Sequence, residues 1–168
     1  MMDKTIDIQQ EIGNPLDSIE DIMAGHDWSF TRAHDDELFV HVTGARGTYR
    51  MTFFWQEEFS AMQLFCEFDL HIPKKRDDMA CRALRTINDD LWLGHFDVPQ
   101  DSRTPIYRHT TLFRGMADSS GADHVADLIE IALAHCERSY PLFNMLASAE
   151  ELSDDVITLA MTESAGTA

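Results

Sequence analysis

The sequence predicts an α+β fold: one antiparallel β-sheet of five to six strands with helices packed on one face. The expected element order is α-β-β-β-β-α-β-β-α-α. Three observations carry this. Between Trp28 and Phe68, four runs rich in β-branched and aromatic residues follow one another across short turns, as hairpins require. Three other segments repeat apolar residues at helical spacing. Finally, the period changes within Ala80–Val98. Met79, Ala83, Leu84, Ile87 and Leu91 share a helical face, whereas Trp92, Phe96 and Val98 fall two apart, as in a strand. A helix is therefore expected to run into a strand with almost no loop. Hairpins with helices at intervals are the signature of an α+β layer.

Taken in order, residues 1–13 are polar and weakly patterned, and are expected to form a flexible arm. Asn14 is suited to cap a helix that Pro15 opens, because proline at the first helical position loses no needed donor. Leu16, Ile19, Ile22 and Met23 form its apolar face, and Gly25 ends it. Strands are expected at Trp28–Arg32, Glu37–Thr43, Thr48–Trp55 and Ala61–Phe68, with turns at Asp35-Asp36 and between Gly44 and Gly47. Pro73 leads into a long helix, Lys74–Leu91. A fifth strand, Trp92–Val98, and a sixth, Thr104–Phe113, flank the turn Pro99-Gln100-Asp101-Ser102. Val125, Leu128, Ile129, Ala132, Leu133 and Cys136 mark a core-facing helix over Ala122–Cys136, which Pro141 is expected to end or kink. Ser148-x-x-Glu151 has the form of a capping box opening a last helix through about Met161. One domain is expected over residues 14–163, followed by a tail at 164–168.

Bulk properties narrow the function. At 168 residues there is chain enough to bury a core. The formal net charge of −17 argues against nucleic-acid phosphates and anionic membranes, both of which it would repel. Cys66, Cys81 and Cys136 are odd in number with no C-x-x-C, and read as reduced, buried thiols. No apolar run approaches the roughly 18 residues needed to span a bilayer. The N-terminus lacks the basic and apolar regions of a signal peptide. The cytoplasm is the expected compartment.

Chemistry-bearing motifs are absent: there is no P-loop, G-x-G-x-x-G, G-x-S-x-G or H-E-x-x-H. Eight histidines raise the question of a metal, but none pairs at i, i+4. The cluster His34-Asp35-Asp36-Glu37 reads as hairpin-turn chemistry. His95 and His109, on the fifth and sixth strands, are expected to face each other as a cross-strand pair. Adjacent carboxylates such as Asp89-Asp90 diverge and do not make an acid/base couple. No catalytic, metal or cofactor residue is assigned, and no cofactor is expected.

Strand alternation exposes one candidate surface. Leu38, Val40 and Val42, with Met62, Leu64, Cys66 and Phe68, belong under the helices. The opposite faces carry Phe39, Phe54 and Phe65 among polar residues. If these rings line up, they make an apolar patch with a polar rim, suited to a protein–protein contact. Either that patch is such an interface or the chain's terminal segments cover it.

With its elements placed, the chain resembles the YbjN-domain family. The resemblance rests on Asn14-Pro15-Leu16-Asp17, Asp35-Asp36-Glu37-Leu38, and above all Ile87-Asn88-x-x-Leu91-Trp92-Leu93-Gly94-His95-Phe96-Asp97. It continues through Tyr107-Arg108-His109, Cys136-Glu137-Arg138-x-Tyr140-Pro141 and Glu163-x-x-Gly166. It implies a fold similar to type III secretion chaperones, usually dimeric, in bacterial regulators of sensory transduction without an established enzymatic activity. Shared fold does not by itself carry chaperone function.

The reading that follows is a non-enzymatic, cytoplasmic interaction protein: a homodimer that regulates or holds an unidentified protein partner. The alternative is a small-molecule sensor or unrecognised enzyme with a cleft between the long helix and the sheet. Asn88, Asp89, Asp90 and His95 fit a helix end and turn rather than an active site, with Asn88 expected to bond backbone near Gly94.

Overall fold

In the computed structural model, which describes residues 13–116 and 118–165, six strands form one wholly antiparallel sheet. They are β1 (Ser29–His34), β2 (Glu37–Thr43), β3 (Thr48–Gln56), β4 (Ala61–Phe68), β5 (His95–Asp97) and β6 (Ile106–Leu112). The helices are α1 (Pro15–Gly25), α2 (Asp77–Asp90), α3 (Asp118–Ser148) and α4 (Asp154–Ala165). The spatial strand order is β1-β2-β3-β4-β6-β5. The first four strands are a meander. The chain then crosses through α2 to the far edge as β5 and turns back as β6 to fill the gap beside β4.

Local chemistry explains the boundaries. The Asn14 side chain accepts from the Leu16 N–H at 3.0 Å, and Pro15 opens α1. Leu16, Ile19 and Met23 are fully buried against the sheet. The inward residues Leu38, Val40 and Val42 of β2 and Met62, Leu64, Cys66 and Phe68 of β4 are all buried. They join residues of all four helices in one apolar core.

Several expectations are corrected. Pro141 does not end α3, which runs on through it to Ser148. Proline removes one helical bond, but Leu142, Phe143 and Leu146 beyond it are fully buried. Phe143 meets Phe68 and Phe96 at ring distances of 5.1 and 5.4 Å. That packing holds the last turns in helical form. Ser148 does not cap a new helix either: it is the last residue of α3, and its hydroxyl donates to the Asn144 carbonyl at 2.7 Å. Ser153 stands at the start of α4 instead, its Oγ 3.4 Å from the Val156 nitrogen.

The junction after α2 is also looser than expected. Leu91 caps α2 in an extended conformation, and β5 begins at His95 rather than Trp92. Trp92 is 73% exposed, in the connecting turn. A short 3-10 turn, Lys74–Arg76, precedes α2. All three cysteines are free; Cys66 and Cys136 are buried, but Cys81 is exposed, because it lies off the stripe made by Ala80, Ala83 and Ile87. The arm expected over residues 1–13 lies, apart from Gly13, outside the described residues, as do 166–168 of the expected tail. No helix among the described residues is long and apolar enough to cross a membrane.

Candidate functional site

The helices occupy one face of the sheet, and no described helix covers the other. Antiparallel register decides which residues meet there. One row runs Thr31, Phe39, Thr52, Phe65, Arg108, His95 from β1 to β5. The next runs Glu37, Phe54, Gln63, Thr110. Phe54 and Phe65 are diagonal neighbours packed edge to face, 5.7 Å between centroids. Phe39 stands two strands from Phe65 with Thr52 between them, so the three rings form a cluster around Thr52 rather than a single row. All three rings are half-buried and Thr52 is buried.

Charged pairs rim this cluster. Arg50 Nε donates to Glu67 Oε2 at 2.7 Å. The Arg108 guanidinium lies over the Phe65 ring at 5.6 Å and reaches Asp97 at 3.4 Å. His95 stands opposite Arg108, and His109 opposite Leu64. The expected His95–His109 pair is therefore not formed: the two lie one register step apart, on opposite faces. Burial lowers the pKa of His109, with His124 and His95 adding to it.

Among the described residues, three shallow depressions are relevant. One near the β1–β2 turn brings Asp35 and Asp36 beside Glu57, Glu58, Trp55 and Phe59. A second includes Arg50, Glu67 and Asp69. A third lies at the β4–β6–β5 corner, over Gln63, Phe65, His95, Arg108 and Thr110. None of these three lies between α2 and the sheet. Among the described residues no group of three or more potential metal ligands converges. Burial, with Cys66 next to it, pushes the Cys136 thiol well up, the opposite of an activated thiolate.

The sequence signature serves architecture. Asn88 uses both ends of its amide on one residue: Nδ2 donates to the Phe96 carbonyl at 2.9 Å, and Oδ1 accepts from the Phe96 N–H at 2.7 Å. It thus stands in for a missing neighbour along β5, the edge strand of the sheet. Gly94 has φ +67°, and a Cβ there would overlap the Tyr107 hydroxyl and lie 2.8 Å from the Arg108 carbonyl oxygen. Tyr107 spends that hydroxyl on the Leu93 carbonyl at 2.9 Å. Glu137 accepts from the Arg46 N–H at 3.0 Å, and a Cβ on Gly47 would overlap the Tyr140 ring. So α3 clamps the β2–β3 turn. The Asn88 bonds fall on backbone two residues beyond Gly94, in the region expected for them; Glu137 carried no local pattern that names a partner, and only the folded chain shows what it bonds.

Comparison with known proteins agrees with this architecture. No curated protein sequence matches the chain. A similar solved structure is YbjN from E. coli, described as "a putative transcription regulator": it shares 13% identity, covers 74% of this chain and 91% of its own, and superposes with a TM-score of 0.50. At that identity the likeness is one of fold. The family model described as "putative bacterial sensory transduction regulator" matches residues 15–145, well over half of the sequence. The chain belongs to the YbjN family.

Proposed function

We propose that the chain is a non-enzymatic, cytoplasmic interaction module that acts as a homodimer, regulating or holding a protein partner through the helix-free face of its sheet. The observation that carries this reading is the cluster of Phe39, Phe54 and Phe65 around Thr52 on a face that no described helix covers. A sheet face left to water ordinarily carries fewer rings. Here the rings sit inside a rim of Arg50, Glu67 and Arg108, the arrangement of an interface core with a polar border. The family's description as a regulator supports a role in binding rather than turnover. The charge of −17 argues against nucleic acid as the partner. The test is Phe54→Asp, read by light scattering alongside far-UV circular dichroism. The reading predicts that the wild-type chain scatters at twice its own mass and the folded variant at its own mass. A wild-type monomer, or a dimer that survives the substitution, sinks it.

A further inference from the structure

In a chain with 30 acidic and 13 basic residues, a depression free of carboxylates stands out. The corner depression where β4, β6 and β5 meet is lined by Gln63, Phe65, Gly94, His95, Arg108, His109 and Thr110, and by no Asp or Glu. The other two each contain two or more carboxylates. Its volume is about 490 Å³, within the range of small-ligand sites.

Arg108 dominates its chemistry. A guanidinium has five N–H donors in a plane and no acceptor. Asp97 meets this one at a single long distance, 3.4 Å from Nη2. Arg108 Nε is buried and has no partner. Its Cζ also lies over the Phe65 ring, 5.6 Å from the centroid, so the terminal Nη donors are held in place rather than swinging in solvent. Gln63 and Thr110 add an amide and a hydroxyl on neighbouring strands. Phe65 supplies an aromatic floor.

We propose that this corner is a binding site for a small organic oxyanion, a carboxylate or phosphate monoester carried on a planar ring. Arg108 takes the oxyanion through charge-assisted hydrogen bonds, and the ring stacks toward Phe65. The site goes beyond the interface reading and shares with it Phe65 and the rim residue Arg108. Asp97 is the built-in competitor for the guanidinium. Asp97 Oδ1 accepts from the Val98 N–H at 2.8 Å, a bond that asparagine keeps. Asp97→Asn therefore frees Arg108 without disturbing the turn.

The test is calorimetric titration of the full chain with benzoate, phenyl phosphate, inorganic phosphate and benzylamine. It is run at about 0.15 M salt so that the general negative field is screened. The site predicts saturable binding of benzoate or phenyl phosphate and none of benzylamine. Binding weakens roughly tenfold or more in Arg108→Gln, tightens in Asp97→Asn, and is unchanged in Arg82→Gln, a change at an exposed arginine on α2. The relative strength of benzoate and phenyl phosphate assigns the carboxylate or the phosphate class; inorganic phosphate shows whether the ring matters. Absence of saturable binding of both aromatic anions up to about 10 mM overturns the site. So does equal loss in Arg82→Gln, or no gain in Asp97→Asn. Should Arg108→Gln not fold, the Asp97→Asn gain decides alone. Light scattering on the same samples reports the interface separately, so the two proposals fail independently.

Discussion

Asn88→Ala isolates the edge-closing role of the signature. The substitution deletes two hydrogen bonds, at 2.9 and 2.7 Å, from the backbone of Phe96. Phe96 itself is only 2% exposed, so its freed N–H and carbonyl have poor access to water. Each buried polar group left unpaired costs about 1–3 kcal/mol. Asn88 is partly buried, and the space its amide vacates admits water to part of the edge. Alanine also improves helix propensity near the end of α2 by roughly 0.5 kcal/mol. The net expectation is a loss of about 1.5–3.5 kcal/mol. Urea denaturation followed by far-UV circular dichroism measures it as a lowered midpoint with an unchanged slope. Asp89→Ala, the exposed neighbour, serves as the reference and is expected to stay within about 0.5 kcal/mol of wild type. An Asn88→Ala midpoint indistinguishable from that of Asp89→Ala refutes the argument that this side chain completes the sheet.

Three further outcomes are expected. Gly94→Ala forces a Cβ into a residue at φ +67° and against Tyr107, combining left-handed strain of about 1–2 kcal/mol with overpacking of about 1–3 kcal/mol; thermal melting should show one of the largest single-site losses in the protein. Gly47→Ala drives its methyl into the Tyr140 ring, and adding Tyr140→Ala should recover part of the loss, a non-additivity visible in a double-mutant cycle. His135 is buried, and Arg138, which can only donate, bonds its Nδ1 at 2.9 Å. Burial first, and Arg138 second, hold its pKa below the ordinary 6.5. The unfolded chain therefore takes up protons first as pH falls: the contribution is intact above pH 6.5 and is lost as pH drops toward the lowered native value. His135→Gln should flatten the stability profile as pH falls below about 6.5, and His109, whose pKa is also lowered, adds slope of the same sign.

What the sequence revealed divides along the range of the forces involved. Asn14, Pro15 and Gly25 bound α1 through contacts within a few residues, so both ends were legible. The β2 and β4 spans were legible because one buried face forces strict alternation on Leu38, Val40 and Val42 and on Met62, Leu64, Cys66 and Phe68. Pro141 was misread because local propensity opposes a helix there, whereas the burial of Leu142, Phe143 and Leu146 against distant strands favours it. Trp92 fitted the strand alternation in sequence, but Gly94 turns the chain before the strand can begin. The outer-face rings were legible as a set, whereas their arrangement around Thr52 depends on register between strands, which no single strand encodes. Register likewise separates His95 from His109. Arg108 entered the sequence reading only within Tyr107-Arg108-His109, because an arginine in a strand is ordinary; its guanidinium over Phe65 and its unpartnered Nε distinguish it in the fold.

The most direct test of the central claim, that the signature builds the fold while the helix-free sheet face makes contacts, is the solution mass of three proteins by light scattering across concentration. They are the wild type, Phe54→Asp on that face, and Leu159→Asp at an exposed apolar position on α4. The account predicts two chains, one chain and two chains respectively, with unchanged circular dichroism in all three. A wild type that scatters as one chain, or dissociation by Leu159→Asp and not by Phe54→Asp, contradicts it.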